Sequence, residues 1–228
     1  MVCTSLSTIP SHTARTQNEP RLYDFTFWSV YLANFLLVTA NALMFRFGDF
    51  IIFLGGTTGT AGKIISFGML GSVLLRLVMG AYIDRHGPRY VWMASSLLFV
   101  VACLSFIPLQ TLGISVYLAR LMLSVSLAGM FTCSFVFISA HAPVNRRAEL
   151  IGILGTSGLL GMIIGPNISD FLFGYLGPGH PTFAALFFLS AAIGFLYLVL
   201  CWFITRKANP IQPETTGSTL QVLSKYWP

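Results

Sequence analysis

Six stretches of this chain are apolar over lengths that cross a lipid bilayer as helix, and nearly all charges fall in the breaks between them. The stretches cover residues 27–45, 64–83, 91–109, 114–140, 150–176 and 182–205. The first holds 19 residues without a charge, about 28 Å of helix and enough for a hydrocarbon core. Only 9% of the 228 residues are charged and 55% are hydrophobic, where a soluble domain carries about 25% charged residues. A chain this short cannot hide so much apolar surface from water. A membrane β-barrel would instead alternate inward and outward residues over segments of about ten. The expected fold class is therefore all-α integral membrane, with six transmembrane helices and the lipid bilayer as first partner.

The flanking segments set an expected organisation. Residues 1–24 are polar, carry Arg15, Glu19 and Arg21, and lack the apolar core of a secretory leader. They are expected to form a cytoplasmic tail. Residues 25–205 form the transmembrane domain, and residues 206–228 a cytoplasmic tail or truncated central linker. Basic residues in short loops mark the cytoplasmic side. Arg15, Arg21, Arg85, Arg89, Arg146, Arg147, Arg206, Lys207 and Lys225 fall on one side, against Arg46 and Lys63 flanking the first loop on the other. Both ends are thus expected in the cytoplasm of a multi-pass protein of the cell membrane.

Several function classes drop out on composition and spacing. The net charge of +6 does not indicate nucleic acid, because the basic residues sit in breaks rather than along one polar face. Cys103, Cys133 and Cys201 lie inside apolar stretches and Cys3 in the tail, which makes no disulfide framework. His12, His86, His141 and His180 have no ligand spacing, so neither a metal site nor a cofactor is expected. The apolar stretches hold no nucleophile–base constellation, and no G-x-x-x-x-G-K-[ST] phosphate loop occurs. An enzyme or an ATP-driven pump is not expected, and no residue is assigned a catalytic role.

The break after the second stretch reads Gly80-Ala81-Tyr82-Ile83-Asp84-Arg85-His86-Gly87-Pro88-Arg89. Gly80 permits close helix packing, Asp84 and Arg85 can pair at the membrane surface, and Gly87-Pro88 makes a tight turn. Positive-inside bias accounts for Arg85 and Arg89, but not for the acidic residue or the two glycines at this spacing. The pattern resembles the G-x-x-x-D-R-x-G-x-R/K signature of the major facilitator superfamily, matching at Gly80, Asp84, Arg85, Gly87 and Arg89.

Two further stretches resemble the family more loosely. Arg120 near the start of the fourth stretch matches an arginine common there, with Leu123 and Ser124 in place of the polar residue and glycine that follow. Gly161-Met162-Ile163-Ile164-Gly165-Pro166 resembles the G-x-x-x-G-P element of antiporters, but Ser169 and Asp170 replace the glycine pair. Gly161, Gly165 and Pro166 therefore serve either an antiport role or plain small-residue packing. A charge facing lipid costs several kcal/mol, so Arg120 either binds an anionic group in an aqueous cavity or snorkels to the outer surface. Arg76 is expected to be structural, packing near the Asp84 turn. Asp170 is a candidate proton-coupling carboxylate or a hydrated interfacial one. Asn34 and Asn41, seven apart, share a helix face and either line a cavity or hydrogen-bond a neighbouring helix.

The resemblance implies the N-terminal six-helix half of a transporter, built of two inverted three-helix repeats. It implies alternating-access transport of a small solute, with antiport or efflux and proton coupling as finer expectations. The alternative is a truncated or non-transporting six-helix scaffold. Either way a partner is implied, a missing second half or a second copy of the chain. The echo of the Gly87-Pro88 turn in Gly177-Pro178 fits an inverted repeat.

Overall fold

The computed structural model describes Tyr23 and residues 25–207, and of Leu77, Ala81, Asp84, Arg85, His86, Val144 and Lys207 the backbone alone. The tail expected over residues 1–24 and the segment over 206–228 lie outside the described residues, save Tyr23, Arg206 and Lys207. No strand occurs among the described residues, and six helical spans are long and apolar enough to cross a membrane.

The first span is longer than its apolar stretch. Helix α1 (Phe25–Leu43) passes through a 3-10 turn (Met44–Arg46) into α2 (Phe47–Phe53), a continuous rod of 29 residues. Arg46, expected beside the first loop, instead lies within the rod. Packing explains the extension. Phe47, Phe50 and Ile51 are fully buried, with the Phe47 ring 5.5 Å from Phe106 and Phe50 4.9 Å from Phe187. The Arg46 charge meets the Asp170 carboxylate and so need not end the helix.

Five helices complete the bundle: α3 (Thr58–His86), α4 (Pro88–Ser105), α5 (Ile114–His141), α6 (Arg147–Leu176) and α7 (His180–Lys207). The Thr57 side chain caps α3 by accepting from the Thr60 N–H at 3.2 Å, satisfying one of the free amides of the first turn. The expected loop after the second span contracts to Gly87 alone, since α3 runs through His86 and α4 starts at Pro88. Gly87 takes φ +79°, and its N–H closes on the Ile83 carbonyl at 2.8 Å. A side chain is disfavoured at that φ, while proline suits the first position of the next helix. Gly177 repeats the device after α6, with φ +73° and a 3.0 Å bond to Phe173.

The packing is that of two repeats. The first span packs on α6 and α7, α5 packs on α3 and α4, α4 meets α7, and the first span meets α5. Exchanging the first span with α5, α3 with α6 and α4 with α7 returns the same contacts. Each repeat has three spans, so the second enters from the opposite side and the pair is inverted. Under α4, α5 and α7 the Trp92 indole donates to the Tyr197 hydroxyl at 2.5 Å, which lies 3.2 Å from Ser134 Oγ. All three residues are fully buried. By contrast α3 and α6 sit at the flanks and are largely exposed, whereas the first span is more than half buried.

Candidate functional site

Helix α6 meets α1 along glycines. A Cβ at Gly161 would stand 2.9 Å from the Thr39 nitrogen, and one at Gly165 2.5 Å from the Ala42 Cβ. Both glycines are therefore points of backbone approach between these helices. Pro166 follows inside α6, where its missing N–H leaves one helical carbonyl without its usual donor. Asn34 belongs to the same seam. It is 2% exposed, and its amide donates to Ser157 Oγ at 2.8 Å and to the Leu154 carbonyl at 3.3 Å. Asn41, two turns on, is half-buried.

Arg120 lies on α5 against the rod and α3. Its guanidinium carbon stands 4.6 Å from the centre of the Phe47 ring, a cation–π placement that partly replaces water. A Cβ at Gly68 of α3 would meet Arg120 Cγ at 3.1 Å and Ser124 Oγ at 2.7 Å, so the glycine is what lets α3 pass the arginine. The Arg120 Nε is buried without a hydrogen-bond partner among the described residues. It is a cationic donor held inside the bundle with capacity to spare.

Asp170 is brought to Arg46, 124 positions away. Arg46 donates to Asp170 Oδ1 from Nε at 3.0 Å and from Nη2 at 2.6 Å, and to Asp49 Oδ2 at 3.1 Å. Its guanidinium also lies 4.5 Å from the Phe173 ring centre. The Asp170 side chain is 63% exposed, so the pair contributes about 1 kcal/mol at most. It ties the first span to α6.

The residues of the charged signature gather at the other end of α3. Asp84 and Arg85 stand in its last helical turn, Gly87 is its buried cap, and Arg89 is exposed in the first turn of α4. Gly80 does not make the close helix contact expected of it: a Cβ there would meet nothing within 4 Å among the described residues. Arg76, expected to pack near the turn, is exposed on α3. At the same end of the bundle Arg146 pairs with Glu149 at 2.8 Å, and Tyr23 donates to Glu149 at 2.7 Å, which pushes the Tyr23 phenol above its ordinary value.

The structure thus joins Arg46 with Asp170 and Asn34 with Ser157, while Arg120 stacks on Phe47 and is bonded to neither pair among the described residues. Sequence reasoning missed the Trp92–Tyr197–Ser134 cluster. A tryptophan and a tyrosine inside apolar stretches each need a polar partner when buried, which was the one available signal.

The family model of the Major Facilitator Superfamily matches residues 24–227. Among curated relatives, the uncharacterized MFS-type transporter YuxJ of Bacillus subtilis (strain 168) is 27% identical over 186 residues, 78% of this chain and 45% of the relative. The multidrug resistance protein MdtG of Proteus mirabilis (strain HI4320) is 26% identical over 164 residues, 72% and 39% of the two chains. The efflux pump ustT of Ustilaginoidea virens is 26% identical over 154 residues, 67% and 27% of the two chains. The chain spans less than half the length of each of these relatives.

Proposed function

The chain belongs to the Major Facilitator Superfamily, and on that premise we propose that it supplies one six-helix half of a secondary transporter that moves a small solute by alternating access. The observation that carries this is the pair of uncovered flanks. On α3, Phe67, Leu70, Val73 and Val78 are 47–66% exposed, and on α6, Leu159, Ile163, Phe171 and Tyr175 are 62–82% exposed. Two bundles that rock about a shared site need such faces to meet across. The second bundle is a further six-helix half or a second copy of this chain.

In this proposal the cell membrane holds the protein with both ends cytoplasmic, as the nine-to-two excess of basic residues indicates. Arg120 offers its free donor to an anionic group on the solute or on a coupling carboxylate. Asp84, Arg85 and Arg89 act at the cytoplasmic end, where the second bundle closes. Asp170 serves the outer end as the ionic tie to Arg46. Two of the relatives are named for multidrug resistance and efflux, which supports export as the direction.

The test is reconstitution in liposomes with a panel of labelled small solutes, alongside crosslinking to define the oligomer. The monomeric chain should give no saturable flux, and flux should appear only in an assembly of two six-helix bundles. Saturable flux by a monomer would overturn the proposal. So would a stable two-bundle assembly that moves nothing in the panel and binds none of it.

A further inference from the structure

Where α1 begins and α7 ends, the two helices part around a cleft of about 550 Å³ lined by Phe25, Thr26, Ser29, Leu200, Phe203, Ile204 and Arg206. Its walls are largely hydrocarbon. The one charge on the described lining is the Arg206 guanidinium, exposed and standing 5.1 Å from the Trp202 ring centre. The cleft opens at the helix ends rather than at mid-span. Tyr23, Trp28 and Trp202, 40–52% exposed, surround that end of the bundle, and such aromatic belts mark the level of lipid headgroups. An apolar cleft with a cation at headgroup level, facing outward between two spans, matches the amphipathic profile of a phospholipid.

We propose that this cleft binds one phospholipid bearing an anionic headgroup, with the phosphate at Arg206 and an acyl chain along Leu200, Phe203 and Ile204. The site stands independently of the transport proposal.

Tryptophan fluorescence reads it directly. In a Trp28→Phe/Trp227→Phe background, Trp202 reports on the cleft, while Trp92 is fully buried and gives a constant background. The protein is placed in phosphatidylcholine vesicles containing increasing brominated phosphatidylglycerol, or brominated phosphatidylcholine as control. Saturable quenching is expected, with about fivefold preference for the anionic lipid, the weight of one basic residue at the membrane surface. Arg206→Gln should abolish the preference, and Arg206→Lys should keep most of it. Equal quenching by both lipids overturns the proposal. Preference that survives Arg206→Gln also overturns it, since other basic residues would then attract the lipid. Absence of quenching by either lipid overturns it as well, because protein would then cover the cleft.

Discussion

Gly165 and Gly174 sit on one helix and face opposite demands. A Cβ at Gly165 would press on Ala42 and, at 2.9 Å, on the Thr39 carbonyl oxygen, whereas one at Gly174 would meet no heavy atom within 4 Å. Gly165→Val should therefore cost about 1–3 kcal/mol through overpacking of the α1–α6 seam. Gly174→Ala should be neutral or slightly stabilising, since alanine favours helix. Thermal unfolding in detergent separates the two. Arg120 is the other residue whose surroundings make a sharp demand. In a transport-competent assembly, Arg120→Ala should lower flux at least about tenfold, on the order of the cost of one lost charge-assisted hydrogen bond. Membrane insertion should be intact, and Arg120→Lys should retain part of the flux. Unchanged flux in the alanine variant would reduce Arg120 to a packing role against Phe47.

Elements in this bundle end where backbone geometry demands it. The caps at Gly87 and Gly177 share a left-handed φ, an N–H returned to the residue four earlier and a following proline. At Gly177 a Cβ would meet nothing within 4 Å, so the cost of Gly177→Ala is conformational alone. It should be about 1–3 kcal/mol, and Gly177→Asn should lose as much, because φ +73° with ψ 171° lies outside the left-handed helical well that asparagine tolerates and is visited essentially by glycine alone. Melting curves of the two variants check that both are destabilised. Between elements, the Trp92–Tyr197 hydrogen bond joins α4 to α7 in a fully buried setting. Tyr197→Phe strands the indole N–H and should cost about 1–3 kcal/mol, while replacing both partners with apolar residues should cost less per group removed.

At the scale of the molecule, six spans and two repeats make topology the first thing to measure. Single cysteines at His86, where the second span ends, and at Gly179, where the fifth ends, should react with an impermeant thiol reagent from opposite faces of the membrane. Labelling of both from one face would contradict six spans. The first span shows how much of this fold was legible beforehand. Its apolar character was plain, but its extension past Arg46 was not, because it rests on Phe47 and Phe50 finding Phe106 and Phe187 across the bundle. The signature turn was legible to the residue as chemistry, yet its contraction to Gly87 alone came from α3 keeping its helix through Asp84 and Arg85.

By itself the sequence determined the number of spans, their approximate places and the family, since length and apolarity are local properties that add residue by residue. Which residues meet was decided only by tertiary structure. A soluble helix marks its buried face with an apolar stripe, but a helix in lipid is apolar toward both its neighbours and the bilayer, so its rotation leaves little trace in the pattern. That is why Arg46 with Asp170, Trp92 with Tyr197 and the glycine seam of α1 and α6 emerged only once the helices were packed.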